Sequence, residues 1–344
     1  MPDFDLGVLG WNAELAENME QGLEPGRVTA AHRGGYDVMT SHGNVRARLP
    51  GRLVYEGADV AVGDWVGVAG ASIQAVLPRR SAILRKAAGL TSQSQTLAAN
   101  VDIAFVVSSL GPDLEPRRIE RYLVTIWESG ATPEIVLTKA DRMDDPWQLV
   151  ADVEAVAVGV PIHVVSAING QGCDALRARL EPGTTAVLLG SSGVGKSTLV
   201  NRFAGRELMA VKETRIDDDE GQHTTTHREL ILLPGGGIVI DTPGLRELQL
   251  WDGGGDAVGA AFADIEELAL ACRFTDCSHR TEPDCAVQAA LTSGELPRDR
   301  HHSWLKLQRE LRAIAIRTDA RLRREETRKW QIRTREARAR TRKR

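Results

Sequence analysis

Aromatic residues make up only 4% of this chain, and cysteine is rarer still, with four in 344 residues. No apolar stretch approaches the roughly 20 residues that a membrane-spanning helix needs, which excludes a helical membrane protein. The opening residues Met1, Pro2, Asp3, Phe4 and Asp5 lack the basic segment of a secretory leader. Three of the four cysteines fall within residues 272–285, which argues against a distributed disulfide framework. A metal site in a reducing compartment fits better, and a cytoplasmic protein is expected. No internal repeat occurs, so a solenoid is excluded. The length allows two or three domains with cores that need no staples.

The formal net charge of −4 conceals a strong polarity. Residues 298–344 hold 18 Lys or Arg and 6 Asp or Glu, a net of +12, so the rest of the chain carries −16. Such asymmetry suggests a basic tail that seeks a polyanion, or else a solvated helix with a disordered end.

Along residues 27–77 short alternating segments are punctuated by Gly34, Gly35, His42, Gly43 and Asn44. About five strands at this spacing predict a small OB-type β-barrel, a fold that often grips oligonucleotides. Trp65 and Tyr36 would stack on bases or sit in its core. A linker is expected from Pro78 through the polar stretch ending at Thr96. Beyond it, apolar runs at 101–107, 134–137, 161–165, 185–189 and 237–240 read as buried strands. Ile119, Tyr122, Leu123, Ile126 and Trp127 recur at helical spacing between two of them. Alternation of this kind predicts a doubly wound parallel sheet. After a Gly-rich break near 252–255, a helix is expected over 260–271. A second carries Leu307, Leu311 and Ile314 as its apolar stripe. The expected architecture is therefore multidomain: a barrel over 1–84, an α/β nucleotide domain over 85–255, and a helical zinc-binding domain with a basic extension over 256–344.

Residues 190–198 read GSSGVGKST after an apolar strand and before a helix, the pattern of a phosphate loop. Gly190, Ser191, Ser192, Gly193, Val194 and Gly195 would wrap the phosphates with backbone N–H groups. The start of the helix adds partial positive charge. Lys196 would reach the β and γ phosphates, Ser197 would hold Mg²⁺, and Thr198 would follow in the first helical turn. Asp241, Thr242, Pro243 and Gly244 end the last strand. There Asp241 would hold Mg²⁺ through water and the Gly244 amide would sense the γ-phosphate. Thr138, Lys139, Ala140 and Asp141 follow another strand. Asp141 can accept from both N1–H and the 2-amino group of guanine, whereas adenine would leave the carboxylate unpaired. Lys139 would cover the ring. Thr138 stands where Asn is common. Ser166 and Ala167 would bring the Ala167 amide near guanine O6.

Residues 221–226, GQHTTT, lie where a switch loop must give Mg²⁺ a threonine, and Thr225 is favoured over Thr224 and Thr226. The position after the DTPG motif, where many small GTPases place a water-orienting Gln, holds Leu245. His223 is then either the catalytic group or an exposed loop histidine. Cys272, Cys277, His279 and Cys285 offer three thiolates and an imidazole, a closed set suited to structural Zn²⁺. Cys173 lies apart and is expected to be packed.

The motif order is rotated: the guanine motif and the Ser-Ala pair precede the phosphate loop, and the DTPG motif comes last. With the Gly63-Asp64-Trp65-Val66 segment, the GQHTTT loop and the cysteine-histidine spacing, this order resembles the RsgA family of circularly permuted GTPases. The resemblance covers nearly the whole chain. It implies a GTP hydrolase that binds the small ribosomal subunit and its rRNA late in maturation, near the decoding region. Hydrolysis would be stimulated by the subunit and followed by release. It further implies GTP or GDP, Mg²⁺ and Zn²⁺ as bound groups, an apolar residue at Leu245, and His223 as the catalytic group. No membrane association is expected, and a monomer is expected away from the ribosome. The extension past Thr318 exceeds the family pattern. Two other readings of the motifs are an RNA-binding scaffold with a regulatory or vestigial nucleotide site and an ATP-dependent phosphotransferase.

Overall fold

Alternating apolar residues near the N-terminus form five strands in the computed structural model, which describes residues 3–86, 94–209, 228–241, 255–280, 282–319, 321–324 and 328. A short helix, α1 (Ala13–Glu17), precedes them. The strands are β1 (Glu24–His32), β2 (Gly35–Thr40), β3 (Gly43–Ala47), β4 (Trp65–Ala69) and β5 (Ser72–Val76). β1 pairs antiparallel with both β2 and β4, β2 pairs with β3, and β4 pairs with β5. A bridge from Arg48 to Ser72 brings the end of β3 to β5. Inward-facing Val28, Val38, Ala47, Val66, Val68 and Ile73 pack on Leu53 of α2 (Gly51–Tyr55), which links β3 to β4. Trp65 is 1% exposed and lies against Trp11, so it is core and not a base-stacking platform. Tyr36 is half-buried.

The expected linker is corrected. Residues Ala82–Lys86 form β6 and pair antiparallel with β7, Ser94–Ala99. The polar stretch forms a strand because Thr96 is buried through hydrogen bonds: Arg79 donates to its hydroxyl and Arg228 to its carbonyl. Arg79 also clamps the buried Asp64 carboxylate through two bonds of 2.7 Å.

Apolar runs then build the larger sheet: β8 (Ile103–Ser109), β9 (Thr132–Thr138), β10 (Ile162–Val164), β11 (Thr185–Leu189), β12 (Glu229–Leu232) and β13 (Ile238–Asp241). Helices α3 (Pro116–Ser129), α4 (Trp147–Glu154), α5 (Cys173–Ala178) and α6 (Lys196–Ala204) alternate with them. Ile119, Tyr122, Leu123 and Ile126 bury the inner face of α3, as their spacing predicts. The strand order is β10-β9-β8-β11-β13-β12. Pairing is parallel except between β12 and β13, where residues 233–237 turn the chain back as a hairpin. The sheet is thus mixed, not all parallel. β12 goes on to meet β1 at Glu229 and Ala30, which joins the two strand systems.

Residues through Asp241 form one compact unit and residues from Gly255 onward a second. In the second, the expected helix over 260–271 is two helices, α7 (Gly255–Ala261) and α8 (Ala263–Leu270), broken at Phe262. α9 (Ala286–Ser293) and α10 (Arg298–Thr318) follow. Arg300 of α10 is buried over the Phe262 ring, clamps Asp264 with bonds of 2.8 and 3.0 Å, and donates to the Ala261 carbonyl. This basic residue therefore belongs to the packing of the unit. Among the described residues, no helix is long and apolar enough to cross a membrane.

Candidate nucleotide site and candidate metal centre

Chain order reverses direction across the larger sheet between β8 and β11. From β8 the chain steps outward through β9 to β10, then returns to the other side of β8 as β11 and moves on toward β13. Parallel strands at such a switch point open a crevice beyond their carboxyl ends, because the flanking connections diverge there. The rotated motifs all follow those ends. Gly190 succeeds β11, Thr138 ends β9, Ser166 lies just past β10, and Asp241 ends β13.

The phosphate loop runs from Gly190 to the start of α6. At Gly190 a Cβ would lie 2.1 Å from the Val107 carbonyl, so only glycine lets the loop cross β8 this closely. Val194 is buried, while Ser191, Ser192 and Gly193 form the loop's outer turn. Lys196, Ser197 and Thr198 occupy the first turn of α6. The Lys196 ammonium donates to the carbonyls of Gly190 and Ser191 at 2.7 and 2.6 Å, folded over the loop's own backbone. On α3, Arg118 donates to the Ser191 hydroxyl at 2.9 Å. Burial pushes the Asp241 carboxyl above its ordinary range; the Lys196 charge opposes this and the Glu229 charge adds to it.

The base-side motif is tied directly to this loop. Thr138 is buried, and its hydroxyl faces the carbonyls of Val194 and Ser108. Lys139 follows at φ 62°, a left-handed turn that redirects the chain into residues 140–142. The Ala140 amide donates to the Val165 carbonyl at 3.2 Å, which sets the guanine motif beside the Ser-Ala loop. The Ser166 hydroxyl donates to Asp141 Oδ1. Arg202 of α6 donates to the Ala167 carbonyl at 3.1 Å. Two cross-links therefore join the halves of the crevice, Thr138 to Val194 and Arg202 to Ala167. Arg118 and Arg202 lie outside every motif, and nothing in the sequence singles them out. His223, Thr224, Thr225, Thr226, Gly244 and Leu245 lie outside the described residues.

In the second unit, Cys272 follows α8 and Cys285 immediately precedes α9, with Cys277 and His279 on the connecting loop. Their ligand atoms all lie within 4.8 Å of one another. The Cys272 and Cys285 sulfurs are 3.8 Å apart, and each lies 3.5 Å from His279 Nδ1. Tetrahedral zinc with sulfur at about 2.3 Å demands sulfur–sulfur edges of about 3.8 Å. The donor set and its spacing therefore fit that ion. His279 adopts φ 54°, and its carbonyl accepts from Gln288 at 2.7 Å. Burial holds its imidazole below the ordinary range, which favours the neutral form that a metal requires. Cys173 is buried at the Ser166 carbonyl, far along the chain from this set.

A family profile described as RsgA GTPase matches residues 76–251. The small ribosomal subunit biogenesis GTPase RsgA of Streptomyces avermitilis is 48% identical over 96% of this chain and 90% of its own length. The protein of the same name, RsgA 1, from Oceanobacillus iheyensis is 43% identical over 88% and 90%. Among solved structures, YjeQ from Thermotoga maritima superposes with a TM-score of 0.65 at 27% identity, covering 84% of this chain and 98% of that one. YloQ, described as a circularly permuted GTPase, gives 0.63 at 23% identity over 85% and 96%, which bears on the fold alone. The rotated motifs meet at one crevice, and the likeness extends over nearly the whole sequence: this chain belongs to the RsgA GTPase family.

Proposed function

We propose that this GTP hydrolase acts in the biogenesis of the small ribosomal subunit. It binds the subunit and its rRNA late in maturation and leaves after GTP is converted to GDP and phosphate. The observation that carries the reading is the bond between Thr138 of the guanine motif and Val194 of the phosphate loop. It supports a single guanosine-nucleotide site in a chain whose relatives bear that ribosomal name.

In this reading the backbone of residues 190–195 cradles the phosphates. Lys196 leaves the loop carbonyls for the β and γ oxygens, and Ser197 and Thr225 hold Mg²⁺ with Asp241 behind them. Magnesium, when bound, neutralises charge that develops on the phosphoryl oxygens. Asp141 reads N1–H and the 2-amino group, Lys139 covers the ring, and the Ala167 amide donates to O6. His223 orients the attacking water, since Leu245 cannot. The Gly244 amide reports the γ-phosphate.

The five N-terminal strands are read as an OB-type barrel over 1–84 that contacts RNA, which their closed pairing path supports. The nucleotide domain spans 85–255. The domain over 256–344 is held by structural Zn²⁺ and carries the basic extension. The protein is read as cytoplasmic, and monomeric away from the ribosome. Phosphate release from GTP, measured with and without purified small subunits, tests the proposal. Stimulation that is lost in Lys196→Ala is expected. Turnover indifferent to subunits would remove the ribosomal role, and equal affinity for ADP and GDP would favour a phosphotransferase.

A further inference from the structure

The base loop that follows β10 is held from beneath by a residue on the phosphate-binding helix. Gly170 closes this turn by donating to the Ser166 carbonyl at 2.9 Å, so Ala167 and the two residues after it form a single hydrogen-bonded bend. Arg202 lies against that bend. Its guanidinium donates to the Ala167 carbonyl, and a Cβ on Gly170 would come within 2.1 Å of it. Its charge also acts on the Cys173 thiol, which donates to the Ser166 carbonyl at 3.3 Å. One cation thus lies against the loop at its second and fifth residues.

A peptide plane is rigid. The Ala167 N–H shares its plane with the Ser166 carbonyl, fixed by Gly170 and Cys173, and the Ala167 carbonyl, fixed by Arg202, lies in the next plane. The two anchors together restrict the torsions at Ala167. Ala167 is the residue whose N–H is assigned to guanine O6. A donor that serves in recognition must be held in place before the ligand arrives, or ordering it subtracts from affinity. Arg202 lies six residues beyond Lys196 on the same helix. The helix that receives the phosphates therefore also braces the loop that reads the base.

We infer that Arg202 is a positioning residue for guanine recognition, acting through the Ala167 carbonyl to hold the O6-reading amide. The inference rests on the guanine-site reading above. Arg202 does not touch the nucleotide. Its effect is confined to bases that carry an oxygen at position 6.

The full-length protein is titrated with GDP, IDP and ADP, the last by competition. IDP keeps O6 and N1–H but lacks the 2-amino group, and ADP carries an amino group at position 6. In Arg202→Ala, GDP and IDP affinity should each fall about 3- to 10-fold, the range for loss of one hydrogen bond. ADP affinity should stay unchanged, and Arg202→Lys should recover part of the loss. An equal fall for ADP would mean that Arg202 supports the phosphate helix alone, and the inference would be overturned. No change for any nucleotide would overturn it as well. Failure of the guanine reading itself is distinguishable, because the unaltered protein would then bind ADP as tightly as GDP.

Discussion

The hydroxyl of Thr138 donates to the carbonyl of Val194, joining the end of β9 to the loop after β11 across 56 positions of sequence. Both groups are buried, so removing the donor leaves a carbonyl without its partner. The same residue stands where an amide side chain is common in such motifs. Threonine offers a hydroxyl donor there.

Thr138→Ala should weaken GDP binding about 3- to 10-fold by loosening the phosphate loop against the base motif. Thr138→Ser keeps the hydroxyl and should restore most of it. Calorimetric titration of both variants checks this, and equal losses in the two would point to packing and not the hydrogen bond.

Asp141→Asn should lower GTP affinity by at least tenfold and raise affinity for xanthosine nucleotides, because the amide presents a donor where the carboxylate accepted. Competition between GDP and XDP reads the exchange of preference. A variant that lost GDP without gaining XDP would argue that Asp141 does not face the purine.

One zinc ion per chain is expected by elemental analysis. Its removal by a strong chelator should melt helical signal from the second unit, since a closed four-ligand site contributes folding energy directly. Cys277→Ser should weaken retention of zinc while leaving GDP affinity near its original value. Full retention in that variant would remove Cys277 from the ligand set.

Arg27 is 1% exposed and donates to the carbonyls of Leu9, Gly63 and Asn100, which ties β1 to the approach of β8. Burial draws its guanidinium down to about 10. Arg27→Met fills similar volume but deprives those buried carbonyls of their donor. Stability should fall by about 2–4 kcal/mol. Denaturant unfolding measures this, and a loss under about 0.5 kcal/mol, the range of ordinary surface changes, would show that water replaces the donor.

Glu134 contributes to the acid dependence of stability. Burial raises its carboxyl, but hydrogen bonds from His163 at 2.7 Å and Arg179 at 2.7 and 2.9 Å outweigh this and hold it below the ordinary range. A depressed folded-state value means that its contribution is present above the unfolded carboxylate range. It is lost as pH falls through that range and the lower folded value. Melting temperature should therefore decline on acidification below about pH 4.5, and Glu134→Gln should flatten that limb. An unchanged acid limb in the variant would assign it to other carboxylates.

Much of the candidate site was legible because phosphate, guanine and zinc chemistry each demand particular residue types at short spacing. Gly190, Lys196, Asp141, Asp241 and the cysteine-histidine set could be named from local pattern. So could β11 and the inner face of α3, where apolar periodicity is undiluted. The β6–β7 hairpin was not legible, since its polar residues are buried against partners distant in the chain, such as Arg79 and Arg228. Nor was β12, whose four residues are too few for a period to register. Trp65 could be core or platform until its neighbours Trp11 and Arg27 were known.

By itself the sequence determined which chemistries the chain carries and that their order is rotated, because these depend on residue identity and spacing. Only the tertiary structure decided that the rotated pieces share one crevice, that Thr138 and Arg202 brace it, and that Arg27 ties β1 to the approach of β8. Those contacts link residues many positions apart, and a hydrogen bond forms where the fold brings donor and acceptor together, whatever their separation along the chain.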